Sequence, residues 1–212
     1  DVVNVHNVFP LISPSVLKVC RDEGVPVVMT VHNYRLICPN GLFMTQGEIC
    51  HRCAGGREYW CVLRNCEGSL AKSFGYALRN WVARKRRAFL DNVTMFMALT
   101  EFQRQQLISE GYPAERIAVV PNMTSIEKNS VDGELGEYVA FVGRVSPEKG
   151  IATLRQAAGN LPDVPMRAAG SYEGNEQLAD GSPASLEFLG HLDRGRLESF
   201  YAGCRMLVLP SV

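Results

Sequence analysis

The sequence lacks an excess of charge of either sign, since 22 Lys and Arg balance 22 Asp and Glu among its 212 residues. Without a general basic field, a nucleic-acid-binding protein is disfavoured. The sequence also lacks a run of about 18 uncharged apolar residues, the length that predicts a membrane-spanning helix. No signal peptide is recognisable. With 46% apolar residues, the composition is typical of a globular protein with a substantial core.

Two glycine-rich phosphate-binding patterns are missing as well. No Gly-x-Gly-x-x-Gly follows a predicted strand, and no Gly-x-x-x-x-Gly-Lys-Ser/Thr occurs. A nicotinamide dinucleotide site and a P-loop therefore lack their characteristic sequences.

The sequence does contain a repeated alternation of apolar, β-branched segments with amphipathic segments. Segment 25–31 is a run rich in β-branched residues and predicts a strand covered on both faces, and segment 138–143 predicts a further strand. Helices are predicted between such strands, over 13–23, 69–90, 100–110, 148–158 and 193–202. This order predicts an α/β fold with parallel sheets built from right-handed βαβ units. The polar segment 122–136 indicates a linker and predicts two α/β lobes, 1–135 and 136–212, which the family resemblance described below implies are Rossmann-like.

Polar residues follow the first two predicted strands. His6 and Asn7 come after one, and His32 and Asn33 come after the next. Open parallel sheets bind ligands at the carboxyl ends of their strands. A single histidine there is often only structural, but two His-Asn pairs at successive strand ends favour a site. Histidine suits proton transfer or contact with an anion near neutral pH.

A second candidate site follows the strand at 138–143. Arg144 leaves that strand, and Lys149 is predicted to lie in the first turn of the next helix. Basic residues normally avoid a helix N-terminus, because the helix dipole is positive there. A bound anion such as a phosphate would justify the lysine. A solvated Glu148–Lys149 pair is the alternative on chemistry alone.

At this point the sequence resembles a known family, the retaining glycosyltransferases of family four, which have the GT-B fold. DVVNVHNVFPLISPSVL and VPVVMTVHNYRLICPNGLF resemble parts of the N-terminal lobe, and VGRVSPEKGIATLRQAA resembles the opening of the C-terminal lobe. ALTEFQRQQLISEGYPAERIAVVPN and EFLGHLDRGRLESFYAGCRMLVLPS are similar to the segments on either side of that opening. The resemblance implies a partial acceptor-side lobe over 1–135 and a partial nucleotide-sugar-binding lobe over 136–212. Since family members carry further segments at both ends, we expect an internal fragment that is inactive alone.

The resemblance also implies roles for individual residues. His6 would act in catalysis on the acceptor side, where Asn7, His32 and Asn33 also lie. Arg144 and Lys149 would be catalytic, because they would hold the donor diphosphate and stabilise the charge of the leaving group. The implied donor-binding residues are Gly143, Arg144, Lys149, Gly190, His191 and Leu192. No Asp-x-Asp motif occurs, and the family generally needs no catalytic metal.

The family resemblance further implies the reaction. A sugar would pass, with retention, from a nucleotide-sugar donor to a glycan or lipid-linked acceptor in surface polysaccharide or glycoconjugate biosynthesis. Two alternatives stay open. One is a GT-B sugar-nucleotide epimerase, which would use carboxylates in its cleft, and none is identified at the predicted strand ends. The other is a non-catalytic binding module whose fold is stabilised by a structural metal ion.

Cysteines cluster in the long irregular segment 33–68, which interrupts the first lobe. Cys38, Cys50, Cys53 and Cys66 have a spacing compatible with a structural, tetrahedral zinc site. These four resemble positions in a subset of the family with a Cys-rich insert, and Cys61 lies outside that pattern. His51 is a substitute ligand, and free thiols are the alternative. We expect a cytoplasmic protein, in which persistent disulfides are disfavoured.

A basic helix follows the insert. No acidic residue lies between Glu67 and Asp91, and six basic residues do: Lys72, Arg79, Arg84, Lys85, Arg86 and Arg87. Such a helix favours peripheral contact with anionic lipid on the inner face of the plasma membrane. A solvated helix face is the alternative.

Overall fold

The computed structural model describes residues 1–9, 12–123 and 136–211. The chain divides into two compact units, Asp1–Ser125 (unit 1) and Ile126–Val212 (unit 2). Of the predicted linker at 122–136, residues 124–135 lie outside the described part of the chain.

Unit 1 is built on a parallel sheet. In chain order its elements are β1 (Val3–Val5), α1 (Ser15–Asp22), β2 (Val27–Val31), β3 (Met44–Thr45), β4 (Glu48–Ile49), α2 (Tyr59–Leu63), α3 (Leu70–Lys85), β5 (Met95–Ala98), α4 (Glu101–Ser109), a 3₁₀ turn (Ala114–Arg116) and β6 (Ile117–Val119). The strand order is β1-β2-β5-β6, and all three pairings are parallel. Helices cover the sheet, so that Leu17 of α1, Val27 of β2 and Phe96 of β5 are fully buried in its core.

Unit 2 repeats this design with four more parallel strands. Its elements are β7 (Tyr138–Val142), a 3₁₀ turn (Pro147–Lys149), α5 (Ile151–Asn160), β8 (Met166–Ala169), a 3₁₀ turn (Glu176–Leu178), β9 (Leu186–Gly190), α6 (Arg194–Ala202) and β10 (Cys204–Leu207). The strand order is β10-β7-β8-β9. One apolar cluster contains Phe141 and Ile151, and a second contains Ala140 and Phe200. The structure confirms the predicted α/β class with two Rossmann-like parallel sheets.

Three helices begin where their capping residues predict. Ser69 accepts a hydrogen bond from the N–H of Lys72, and Thr100 accepts one from Gln103. Asp193 accepts one from Arg196 at 2.9 Å. Each side chain satisfies an N–H group that the first helical turn leaves unpaired.

The insert at 33–68 has more structure than the sequence indicates. It contains the short antiparallel hairpin β3–β4 and the helix α2. Helix α3, predicted to reach about residue 90, ends at Lys85. An amphipathic helix normally turns its large apolar side chains toward the core, but Leu70, Phe74, Leu78 and Trp81 of α3 are exposed.

The predicted helix over 148–158 begins later than expected. Pro147–Lys149 forms a 3₁₀ turn, Gly150 has a left-handed φ of 73°, and α5 starts only at Ile151. Lys149 therefore lies in the turn that precedes the α-helix, and its predicted place in the first turn of that helix is wrong.

Candidate active site

The two His-Asn pairs of unit 1 meet at one edge of the sheet. Because β1 and β2 are parallel neighbours, their carboxyl ends lie side by side. His6 Nδ1 and His32 Nε2 are 2.7 Å apart, and the two rings stack with centroids 5.0 Å apart. Asn33 Nδ2 donates to Asn7 Oδ1 at 3.4 Å. The strand order thus joins residues that are 26 positions apart in sequence.

The contact between the two imidazoles requires one ring nitrogen to donate and the other to accept. His6 and His32 are both exposed at the sheet edge. The pair can therefore accept or pass on one proton from a group that approaches from solvent.

At the carboxyl edge of the sheet in unit 2, three loops are hydrogen-bonded to one another. Their backbone bonds run from Gly143 N–H to Ala169 O (2.9 Å), from Val145 N–H to Ser171 O (2.8 Å) and from Gly170 N–H to Gly190 O (2.8 Å). A Cβ on Gly170 would lie only 1.7 Å from the carbonyl oxygen of Gly143. Glycine at 170 thus permits the close approach of the first two loops. The result is a rigid, backbone-lined edge where parallel sheets bind ligands.

Arg144 is exposed at this edge and is paired with two carboxylates. Its Nη2 lies 3.1 Å from Glu148 Oε1, and its Nη1 lies 3.2 Å from Glu173 Oε2. Ser146 Oγ donates to the same oxygen of Glu148 at 2.7 Å. The two carboxylates therefore balance the guanidinium charge locally.

Glu173 is not among the site residues predicted from the sequence. It follows β8 within four residues, so the rule that selected His6 and Arg144 also selects Glu173. Its φ of 46° is uncommon for a residue other than glycine, and such conformations cluster at functional sites. Glu148 and Glu173 also correct the expectation that no carboxylate stands at the strand ends.

The other predicted donor-site residues differ in which of their groups are accessible to a ligand. Lys149 is half-buried and makes no ion pair with any residue in 1–9, 12–123 or 136–211. Gly190 has a left-handed φ of 66°, and His191 after it is exposed. The side chain of Leu192 packs with Tyr138 in the core, so only its backbone is available to a ligand.

The thiols of the insert group differently from the predicted zinc set. A hydrogen bond with Cys53 is the main cause that lowers the pKa of Cys38 to about 6, and the same contact raises the pKa of Cys53. Burial, followed by the nearby Cys66, raises the pKa of Cys61 to about 12. Cys61, which is outside the predicted ligand set, thus lies among Cys38, Cys53 and Cys66.

Cys50 has a different environment. It directly follows β4, and its N–H donates to the carbonyl of Phe43 at 2.7 Å. The neighbouring His51 packs against the ring of Phe43 with centroids 4.5 Å apart. Within the described part of the chain, no three His, Cys, Asp or Glu side chains have the geometry to hold a metal ion. The zinc site with Cys38, Cys50, Cys53 and Cys66 stays a prediction.

Three of the six basic residues predicted to meet a membrane have partners within unit 1. Arg84 pairs with the buried carboxylate of Glu58 at 2.7 Å, and Arg87 pairs with Asp91 at 2.9 Å. Arg79 lies over the ring of Phe9, 4.2 Å from its centroid. The remaining three make no ion pair with a described residue: Lys72, Lys85 and Arg86. The predicted basic surface is therefore smaller than the sequence indicates.

Comparisons with known proteins identify the fold and the family of the chain. The two parallel sheets define the GT-B class of fold, as in Anabaena Alr3699/HepE in complex with UDP and glucose (TM-score 0.60, 14% identity, 98% of this chain and 52% of that one). The chain is also similar to S. aureus TarM (TM-score 0.55, 13% identity, 89% of this chain and 33% of that one). Residues 1–128 match the model of Glycosyltransferase Family 4, and the chain belongs to this family.

One curated relative is similar in sequence. Alpha-galactosylglucosyldiacylglycerol synthase of Streptococcus pneumoniae is 25% identical over 168 residues, which are 68% of this chain and 44% of that protein. The chain thus spans about half the length, or less, of the relatives it matches. Among the described residues, no helix has both the length and the apolar character needed to cross a bilayer.

Proposed function

We propose that the protein transfers a sugar, with retention, from a nucleotide-sugar donor to a glycan or lipid-linked acceptor. Membership of glycosyltransferase family 4 supports this reaction class. The observation that carries the donor site is the edge of unit 2 where three joined loops present Arg144 and Lys149. In this proposal, residues 136–212 form part of the donor lobe and residues 1–135 form part of the acceptor lobe.

Arg144 and Lys149 act on the leaving nucleoside diphosphate. As the bond from the sugar to the diphosphate breaks, negative charge grows on the terminal phosphate. Two cations held beside that oxygen stabilise the transition state more than the bound donor, which lowers the barrier. The backbone groups of Gly143, Gly190, His191 and Leu192 line the same loops and help to position the donor. Chemistry of this kind needs no metal ion from the chain.

Glu148 and Glu173 keep Arg144 in place until the donor arrives. A diphosphate carries a higher charge than one carboxylate and accepts two parallel hydrogen bonds from a guanidinium. Donor binding therefore exchanges at least one carboxylate of Arg144 for phosphate. This exchange makes donor affinity dependent on ionic strength, because charged groups are traded at an exposed site.

His6 faces the acceptor, and His32 holds its ring through the 2.7 Å contact. Asn7 and Asn33 are joined at the same edge and offer amide groups to sugar hydroxyls. The relative from Streptococcus pneumoniae is named for a glycolipid product, which supports a lipid-linked acceptor. We accordingly place the reaction in the cytoplasm, at a membrane surface and in glycoconjugate assembly. The thiol geometry gives a structural zinc no part in this proposal.

UDP binding tests the donor site directly, because UDP carries the charge that a leaving group develops. Titration calorimetry of the chain should show at least tenfold weaker UDP binding for Arg144→Ala and for Lys149→Ala. Arg194→Ala, an exposed arginine at the start of α6, is the control and should bind within twofold of wild type. In a form of the enzyme that turns over, both site variants should lower kcat more than they weaken donor binding. Unchanged UDP affinity and unchanged kcat in both variants would contradict the assignment.

A further inference from the structure

Helix α3 has its larger apolar side chains on the outside. Leu70, Phe74, Leu78 and Trp81 are 64%, 58%, 45% and 45% exposed. Their spacing of four and three residues places them along one continuous face, which we call the α3 stripe. The buried face instead consists of small or polar residues: Ser73, Ala77, Asn80 and Ala83. A helix on a globular protein normally shows the reverse arrangement.

Specific contacts with the insert fix this orientation. Asn80 Nδ2 donates to the carbonyl of Arg35 at 2.6 Å. Ser73 Oγ donates to Asn65 Oδ1 at 3.3 Å and accepts from the N–H of Glu67 at 3.1 Å. Because buried polar groups are costly to leave unpaired, these bonds prevent rotation of the stripe toward the core.

A groove of about 460 Å³ adjoins the α3 stripe, between α3 and the start of α1. Its apolar walls include Leu78, Val82 and Phe9, and three basic side chains line it: Lys18, Arg79 and Arg86. No Asp or Glu is among its lining residues in the described part of the chain. Lys18 pairs with Asp22, whereas Arg86 has no ion-pair partner among the described residues. An apolar cleft with a cationic rim matches a ligand that joins hydrocarbon to phosphate.

We propose that the α3 stripe and this groove together form a docking site for a membrane surface of anionic phospholipid. Phe74 and Trp81 enter the interfacial layer, where aromatic side chains are favoured. Lys85 and Arg86 stand at the carboxyl end of α3 and meet lipid phosphates. The helix lies in the membrane surface and does not cross it. This site does not depend on the proposed sugar transfer.

Vesicle flotation tests the docking site. The chain should float with vesicles of phosphatidylglycerol and phosphatidylcholine, and at least tenfold less with phosphatidylcholine alone. Phe74→Ser/Trp81→Ser should lose at least tenfold in partition. The matched control is Tyr59→Ser/Leu63→Ser, which removes exposed apolar side chains from α2. It should float as wild type does.

Variants that remove positive charge distinguish docking to anionic lipid from nonspecific hydrophobic adsorption. Lys85→Ser/Arg86→Ser should lose binding to anionic vesicles, and Arg194→Ser should retain it. Far-UV circular dichroism and thermal melting should be unchanged in all variants, since the altered side chains are exposed. Failure of the wild-type chain to float, or full flotation of Phe74→Ser/Trp81→Ser, overturns the proposal. A third result would also overturn it: the wild-type chain does not bind vesicles but forms a dimer in sedimentation velocity, and Phe74→Ser/Trp81→Ser abolishes that dimer. The α3 stripe would then bind a second copy of the chain.

Discussion

Replacing Gly150 by alanine should destabilise unit 2 strongly. Gly150 joins the 3₁₀ turn Pro147–Lys149 to α5, and its φ of 73° lies in the left-handed region. A Cβ built at this position would lie 1.9 Å from the backbone carbonyl oxygen of Pro210. Both the turn and the carbonyl are backbone, which cannot rotate away as the end of a side chain can. The backbone must therefore shift to accept the methyl group.

Two effects set the size of the loss. An L-residue in the left-handed conformation costs about 1–2 kcal/mol relative to glycine. Displacing the backbone at Pro210 by more than about 1 Å should add a similar amount, as overpacking does in a core. We therefore expect Gly150→Ala to lower the free energy of unfolding of unit 2 by about 2–4 kcal/mol. Lys149, which directly precedes Gly150, should be displaced together with the backbone of this turn. The affinity for UDP should therefore fall.

Gly159→Ala is the matched control, because it is the same substitution within α5. Its Cβ would lie 3.7 Å from Pro183 Cγ, an ordinary contact. Because Gly159 lies in the last turn of α5, the substitution should be neutral or should add at most the value of about 0.5–1 kcal/mol that applies to a helix interior. Native-state hydrogen exchange of the amides in α5 and β8 reports unit 2 separately from unit 1. Equal exchange protection in the two variants would show that the reasoning about Gly150 is wrong.

Two further predictions concern unit 1. Glu58→Gln removes the charge of a buried carboxylate and leaves Arg84 without its ion-pair partner. The free energy of unfolding in urea should fall by about 2–3 kcal/mol, which is below the usual cost for a fully buried pair because Arg84 is partly exposed. Arg87→Ser, which breaks an exposed pair, should cost less than about 0.5 kcal/mol, and equal losses would refute the distinction. The lowered pKa of Cys38, near 6 when folded against an ordinary 9.0, should make stability rise with pH between these values and be lost as pH falls through 6. Urea midpoints at pH 6 and 8 under reducing conditions measure this slope, and Cys38→Ser should flatten it, because this variant removes the titrating thiol.

The sheets could be predicted from the sequence because their signals are local. Segment 25–31 is rich in β-branched residues, and β2 over Val27–Val31 is buried on both faces. The capping residues Ser69, Thr100 and Asp193 act on N–H groups within three positions of themselves. The ordering of β1 beside β2 follows from short right-handed connections. The meeting of His6 and His32 is a direct consequence of that order.

The direction of the α3 stripe could not be predicted in the same way. Periodicity shows that a helix has an apolar face, but it does not show which face meets the rest of the protein. That choice depends on Asn80 and the carbonyl of Arg35, which are 45 residues apart in sequence. The surroundings of the cysteines could not be predicted for a similar reason, because β4 leads directly into Cys50 while α2 carries Cys61 into the core. Spacing alone cannot show these effects.

The insert accounts for the division of the basic helix into two sets. Arg79 donates to the carbonyl of Pro39, and Arg84 donates to the carbonyl of Gly56 and to Glu58. Both arginines therefore hold the insert onto α3. In contrast, Lys85 and Arg86 follow the outward-facing α3 stripe and make no ion pair with the described residues. One run of charge in the sequence thus serves two purposes. The inward set fixes the helix, and this fixed orientation gives the outward set and the apolar stripe a common surface.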